Sequence, residues 1–179
     1  MITLKIKIKY HSNNIPKLKF TDKGEWVDLY STEDIEFIEP RATKLKRVRN
    51  VEEPYSYRPV LYDTSLIPLG VSMKLPKGFE AIIVPRSSTY KNFGILQTNS
   101  TGIIDSSYSG TNDIWKMPYI VMRAGNIKVG DRPCQFRIQL SQKATVWQKL
   151  KWLFVSKIEF EEVDKLDDED RGGFGTTNR

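Results

Sequence analysis

The residues with the most chemical promise in this chain fall within Thr98 to Gly110, where Asp105 follows Gly102, Ile103 and Ile104 and precedes Tyr108 by three positions. Small polar residues, a glycine and two β-branched residues read as a strand. Asp105-Ser106-Ser107 has turn chemistry, and Tyr108 to Gly110 restarts an extended segment. The pattern predicts a β-hairpin or tight β-corner with one carboxylate at its tip, next to buried Ile103 and Ile104, and one ring on the returning arm. Such a hairpin offers backbone N–H and C=O groups to the edge of a flat ligand. Its carboxylate, within hydrogen-bond reach of a water, would orient and deprotonate that water. On spacing alone, an aspartate in a turn before a tyrosine is ordinarily a turn and nothing more.

Three other stretches carry groups that suit an anionic ligand. In Pro85-Arg86-Ser87-Ser88 a strand over 79–84 ends at the proline. Ser87 or Ser88 is then placed to cap a short helix through Tyr90 to Phe93, closed by Gly94. A strand running into a helix start presents free backbone N–H groups, with Arg86 beside them. Gly130-Asp131-Arg132-Pro133-Cys134-Gln135 is a turn leading into the alternating strand 134–140. The chain ends in an acidic run, Asp164 to Asp170, followed by Arg171-Gly172-Gly173-Phe174-Gly175-Thr176-Thr177-Asn178-Arg179. Three glycines in those nine residues predict a floppy tail.

Composition narrows the chemistry further. With one cysteine (Cys134) and one histidine (His11), the chain has no intrachain disulfide and no Cys/His zinc site. It has no histidine-activated nucleophile unless His11 serves, and His11 sits in a polar run that reads as a solvated loop. Catalysis is left to carboxylates, backbone donors, Arg or Lys, and a borrowed metal. A formal charge of +6 and a pI near 9.3 favour polyanionic partners without choosing among them. No apolar run approaches the ~20 residues of a membrane helix, and the N-terminus alternates like a strand instead of a signal peptide. The expected location is cytoplasmic, with no membrane partner.

The elements that must position these groups are mostly strands. Ile2, Leu4, Ile6, Ile8 and Tyr10 alternate with Thr3, Lys5, Lys7 and Lys9, a half-buried strand whose lysines suit an exposed face or an edge. Asp28 lies in the word Asp22-Lys23-Gly24-Glu25-Trp26-Val27-Asp28-Leu29-Tyr30-Ser31. Residues 41–63 form an insertion, basic from Arg41 to Arg49 and interleaving aromatics with Arg and Pro from Tyr55 to Pro59. Basic and aromatic residues together can hold single strands, although most such runs are solvated loops. Lys143 to Trp152 has Val146, Trp147 and Leu150 at helical spacing, which predicts a further short helix. The many short strands predict an all-β sandwich or barrel, with one domain over 1–163 and an arm over 164–179.

The words Gly102-Ile103-Ile104-Asp105-x-x-Tyr108-x-Gly110, Pro85-Arg86-Ser87-Ser88 upstream and Gly130-Asp131-Arg132-Pro133-Cys134-Gln135 downstream resemble the trimeric dUTP pyrophosphatase (dUTPase) family of bacterial or phage type, in that family's order and near its spacing. The resemblance implies a jelly-roll or distorted β-barrel with one short helix after Arg86 and a flexible C-terminal arm. It also implies a homotrimer with active sites at subunit junctions, which hydrolyses dUTP to dUMP and pyrophosphate with Mg²⁺. That reaction keeps uracil out of DNA and supplies dUMP for thymidylate synthesis. By the same resemblance Asp105 is the catalytic base, and Asp28 reaches the metal through water. Arg86, Ser87, Ser88 and Gln135 hold phosphate oxygens, and Arg171 joins them from the tail. Asn99, Gly102 and Ile104 face uracil, Tyr108 packs against the sugar, and Phe174 stacks on the base. Cys134 stands where the family usually has a small alanine.

Two competing readings remain. A dCTP deaminase shares the Arg-Ser-Ser word and the hairpin but carries a glutamate shortly after it, where this chain has Trp115, a residue unable to move a proton. A binding or regulatory module would use the insertion on a protein partner, nucleic acid being the less expected ligand. The tail also departs from its relatives, many of which place four residues between the closing Arg and Phe where this chain has two. Two fewer residues shorten the reach by up to ~7 Å, so Arg171 and Phe174 are not both expected to reach their stations.

Overall fold

The computed structural model describes residues 2–20 and 24–174. Asp22 and Lys23 of the Asp28 word, and Gly175 onward in the tail, lie outside the described residues. The first third of the chain gives β1 (Ile2–Tyr10), β2 (Val27–Leu29), β3 (Ile35–Phe37), β4 (Arg41–Ala42), β5 (Lys46–Val48), β6 (Tyr55–Tyr57) and β7 (Val60–Leu61). The middle gives β8 (Thr64–Pro68), β9 (Val71–Lys74), β10 (Phe79–Pro85), α1 (Thr89–Phe93), β11 (Ile95–Gln97) and β12 (Gly102–Asp105). β13 (Lys116–Val121), β14 (Gly125–Ile127), β15 (Cys134–Leu140), α2 (Val146–Trp152) and β16 (Val155–Glu162) complete it.

Sheets in the orders β16-β1-β9, β12-β10-β15-β2 and β11-β13-β8 share one hydrophobic core. They do not close into a barrel among the described residues, so the all-β expectation holds as a sandwich. Strand alternation explains the core directly. From β1, Ile6 and Ile8 are fully buried, while Lys5 and Lys7 face out. β1 is a middle strand, parallel to β16 and antiparallel to β9, so of the two placements its lysines suit, the exposed face is the one realised. Lys7 instead bonds Asp167 at 2.9 Å across the outer face. Trp115 and Phe136 meet edge to face at 5.2 Å in the centre of the core, and Cys134 is buried beside them on the same inward row of β15 as Phe136. Burial pushes the Cys134 thiol pKa up, consistent with a small apolar role.

Several local readings are corrected. The predicted hairpin does not return on itself: β12 pairs with β10, through Ile82↔Ile103 and Glu80↔Asp105. After Asp105 the chain makes only a turn, with the Tyr108 N–H on the Asp105 carbonyl at 3.1 Å. Ile103 faces outward and is 62% exposed, not buried, because its neighbour Gly102 takes the inward position. Ser88 is the N-cap residue of α1, yet neither serine caps it by side chain. Thr89 donates to the Pro133 carbonyl at 2.7 Å, and Gly94 closes the helix at φ +71°. His11 is not a solvated loop residue, since its Nε2 meets the buried Ser72 hydroxyl at 2.9 Å.

α2 is the further short helix that the spacing of Val146, Trp147 and Leu150 predicts. It starts with a capping box between Thr145 and Gln148, and Gln148 Nε2 donates to the Lys77 carbonyl at 2.7 Å. Trp152 packs on Phe79, but Trp147 is 81% exposed, so the helical apolar stripe does not face the core. The insertion is a single paired ribbon and not a loop, with β4 on β7 and β5 on β6. No helix among the described residues is long and apolar enough to cross a membrane. Because Phe136 is fully buried between aromatic neighbours, Phe136→Ala should lose ~3–5 kcal/mol of stability, read from a lower urea midpoint.

Candidate functional site

β12 carries Asp105 to the rim of a cleft of about 270 Å³. Asn99, Gly102, Ile104, Tyr108, Arg171 and Phe174 line it, so six of the sequence-predicted groups and Asp105 itself converge here, with Ile103 beside them. The turn between β11 and β12 is braced by Gln97, a residue that sequence reasoning missed. Its Nε2 donates to the Ile83 carbonyl at 3.2 Å and to Asn99 Oδ1 at 2.8 Å. Its Oε1 is buried without a hydrogen-bond partner among the described residues. Tyr108 is held by its hydroxyl, which donates to the Ile114 carbonyl at 3.1 Å, and Gly173 lies against its ring.

The Asp105 carboxylate is fully engaged. Oδ1 accepts from the Ser107 N–H at 2.8 Å and from the Ser107 hydroxyl, and Oδ2 accepts from Arg171 Nη1 at 2.8 Å. Arg171 Nη1 also reaches Ser107 Oγ at 2.8 Å. Burial pushes the Asp105 pKa up, but the Ser107 hydrogen bonds and the Arg171 charge outweigh it and hold the carboxyl below its ordinary range. A carboxyl held this way is ionised at neutral pH.

The tail is not floppy over its described part, and its acids are what tie it down. Leu166 is fully buried, with its N–H on Thr111 Oγ1 at 3.0 Å. Asp168 accepts from Lys74 at 2.6 Å and from the Ser109 hydroxyl at 2.7 Å, and Asp170 accepts from the Asn112 backbone and side-chain N–H groups at 2.7 Å each. Asp113 is the second residue that the sequence reading missed. It is buried and collects three backbone N–H groups at 2.9 Å each, from Gly110, Arg171 and Gly172. Gly110 makes room for this path, because a Cβ there would stand 2.4 Å from the Asp170 Cα. With the arm so placed, Arg171 reaches Asp105 while Phe174 lines the cleft.

The other predicted groups lie elsewhere. Asp28, Gln135 and Val84 are register neighbours across β2, β15 and β10, and Arg86 follows β10 at the same end, with Ser87 and Ser88 in the turn beyond it. Asp105 is opposite Glu80, four residues back along β10 and at the far edge of the sheet. Strand spacing and rise put Asp28 and Asp105 roughly 20 Å apart. A triphosphate tail does not extend that far from its α-phosphorus. The Asp28 carboxylate is held by two arginines: Oδ1 takes Arg86 Nε at 2.8 Å and Oδ2 takes Arg132 Nη1 at 3.0 Å. No group of three His, Cys, Asp or Glu able to hold a metal occurs among the described residues. The donors present do not build a resident Mg²⁺ site. They suit an ion that arrives on the triphosphate and keeps its waters.

A family model described as dUTPase matches residues 50–177. A deoxyuridine 5'-triphosphate nucleotidohydrolase derived from the SPbeta prophage of Bacillus subtilis is 41% identical over 174 residues, covering 97% of this chain and 98% of its own. Among solved structures, the Streptococcus mutans dUTPase matches with TM-score 0.57 at 20% identity, over 76% of this chain and 93% of its own. A variant dUTPase from phage phi11 of S. aureus, which coordinates a structural Mg(II) ion, matches with TM-score 0.56 at 14% identity, over 79% and 94%. These two structures bear on the fold, a jelly roll. The chain belongs to the dUTPase family. Within that family its likeness to the prophage protein runs through nearly its whole length, including the segment ahead of the matched domain.

The arm's anchors give a pH dependence of definite sign. Hydrogen bonds from Lys74 and then Ser109 lower the Asp168 pKa, and those from the Asn112 backbone and side chain lower that of Asp170. Groups lowered in the folded state contribute stability above the ordinary aspartate pKa and lose it as pH falls through their folded values. Amide protection at Arg171 and Gly172 should therefore vanish on acidification before that of β10. Asp113→Asn should abolish it already at neutral pH. Hydrogen exchange reads both, and an arm equally protected in the variant would show that Asp113 is not the anchor.

Proposed function

We propose that this protein is a dUTP diphosphatase whose complete site forms between copies of the chain. The reaction is hydrolysis of dUTP to dUMP and pyrophosphate. One observation carries the assembly reading. Strand register places Asp28 and Gln135 at one end, and Asp105 at the other, of the same outward face of the β12-β10-β15-β2 sheet. Partly exposed Ile82 and exposed Ile103 lie between them on that face. A second copy that covers these isoleucines can bring its phosphate-holding end to the first copy's base. A closed ring of three then gives three equivalent sites.

In this reading the backbone of the β11–β12 turn, from Asn99 to Ile104, pairs with the uracil edge and leaves no room for a 5-methyl group. Cytosine is rejected because its exchanged donors and acceptors would leave buried partners unpaired. Tyr108, pinned by Ile114, fills the space a 2′-hydroxyl would need, and Phe174 covers the base. Asp105 orients a water in line with the α-phosphorus and takes its proton. Before it can act, Arg171 must turn from Asp105 to the incoming phosphates, a move that frees the carboxylate as substrate arrives. Arg86, Ser87, Ser88 and Gln135 of the adjoining copy hold phosphate oxygens, and Asp28 positions Arg86. Mg²⁺ carried on the triphosphate neutralises its charge. Residues 1–163 form the catalytic body and 164–179 the closing arm, and the enzyme serves the cytoplasmic nucleotide pool.

Deamination of dCTP is disfavoured by Trp115, which is fully buried against Phe136. A panel of dUTP, dTTP, dCTP, UTP and dUDP, with pyrophosphate and ammonia both measured, should show pyrophosphate from dUTP alone. Asp105→Asn should abolish turnover while changing dUTP affinity less than about tenfold, under ~1.4 kcal/mol. Arg86→Ala should also be inactive. Under subunit exchange the two inactive variants mixed equally should recover about a quarter of wild-type turnover, the random-assembly share of sites with both groups intact. No recovery would place each site within one copy.

A further inference from the structure

Residues 41–63 take no part in the cleft or in the phosphate-holding end. They carry six basic side chains, Arg41, Lys44, Lys46, Arg47, Arg49 and Arg58, against Glu52, Glu53 and Asp63, which is half of the chain's +6 excess in 23 residues. The fold makes this segment a hairpin whose ladders are its own. Arg41 and Ala42 pair with Leu61 and Val60, and Lys46 to Val48 pair with Tyr57 to Tyr55. Directly opposed residues share a face of a ribbon. Tyr55, Tyr57, Val48 and Lys46 therefore stand on one face, and Arg47 and Ser56 on the other.

The tyrosines are the informative part. They are 56% and 44% exposed, and their rings lie side by side with centroids 6.0 Å apart and planes 36° from parallel. Two large rings held to solvent by a paired backbone lose little further freedom when a flat ligand stacks on them. A lysine lies on the same face and an arginine on the reverse. An acidic protein segment would be satisfied by the cations and would leave the rings unused. A single-stranded nucleic acid uses both, bases on rings and phosphates on cations, and its unpaired bases expose the faces that a duplex hides. We infer that the 41–63 ribbon is a binding arm for single-stranded nucleic acid, separate from the hydrolytic site.

The test is fluorescence anisotropy of the full chain with labelled oligothymidylate, its duplex with oligoadenylate, and poly-glutamate as competitor. The wild type should bind the single strand in preference to the duplex. Tyr55→Ala/Tyr57→Ala should weaken that binding at least ~tenfold, while Tyr55→Phe/Tyr57→Phe keeps it. Lys46→Ala/Arg47→Ala should lower the slope of log affinity against log salt by about 1.4. dUTP turnover should be unchanged in all three variants, which also reports that they are folded. Absent binding by the wild type, full affinity in the doubly alanine-substituted tyrosine variant, preference for the duplex, or displacement by poly-glutamate at equal charge would each overturn the inference, the last in favour of an acidic protein partner.

Discussion

The period of two along β10 is the constraint from which the site descends. With Ala81 and Ile83 inside the sandwich, Glu80, Ile82 and Val84 must face out, and the ladder carries that parity to both neighbouring strands. Asp105, Ile103, Gln135 and Asp28 are outward because Ile104, Gly102, Phe136 and Val27 are not. A slip of one residue would bury the carboxylate and expose the core. The chemistry is thus fixed by hydrophobic burial several residues away, and no separate device is needed to aim it.

Closure rests on a different kind of interaction. Glycine-rich chain has little surface to bury, so the tail is fastened by charge and hydrogen bonds: Asp168 on Lys74, Asp170 on Asn112, and the buried Asp113 under Arg171 and Gly172. Exposed pairs of this sort are individually weak, and strength comes from several acting on one short segment. Such a fastening holds the arm in register over the cleft while each of its bonds stays open to exchange with solvent.

Much of this was legible in the amino-acid sequence because it depends on local rules. The alternation of β1, the strand ending at Pro85, the glycine closing α1 and the words around Arg86, Asp105 and Gln135 need no knowledge of distant neighbours. What escaped was set by tertiary pairing. Ile103 reads as core until its strand partner is known, and the turn after Asp105 reads as a hairpin until β10 claims the strand. Asp113 looks like any loop acid, since two of its three backbone partners lie more than fifty residues away. The acidic run before Arg171 reads as the start of a floppy tail only when the lysines of β1 and β9 are left out. The insertion's ribbon was hidden for the same reason, because neither short half resembles a strand without the other.

Gly110 ties two parts of the molecule to a shared history. The arm crosses it so closely that one methyl group would collide with the Asp170 backbone, so the turn after Asp105 and the terminal segment cannot diverge independently. A lineage that acquired a side chain at this position would lose the path by which a chain lies over its own cleft. It would then have to send the arm along another path. A single carbon atom at this crossing decides whether the terminal segment lies over its own subunit's cleft.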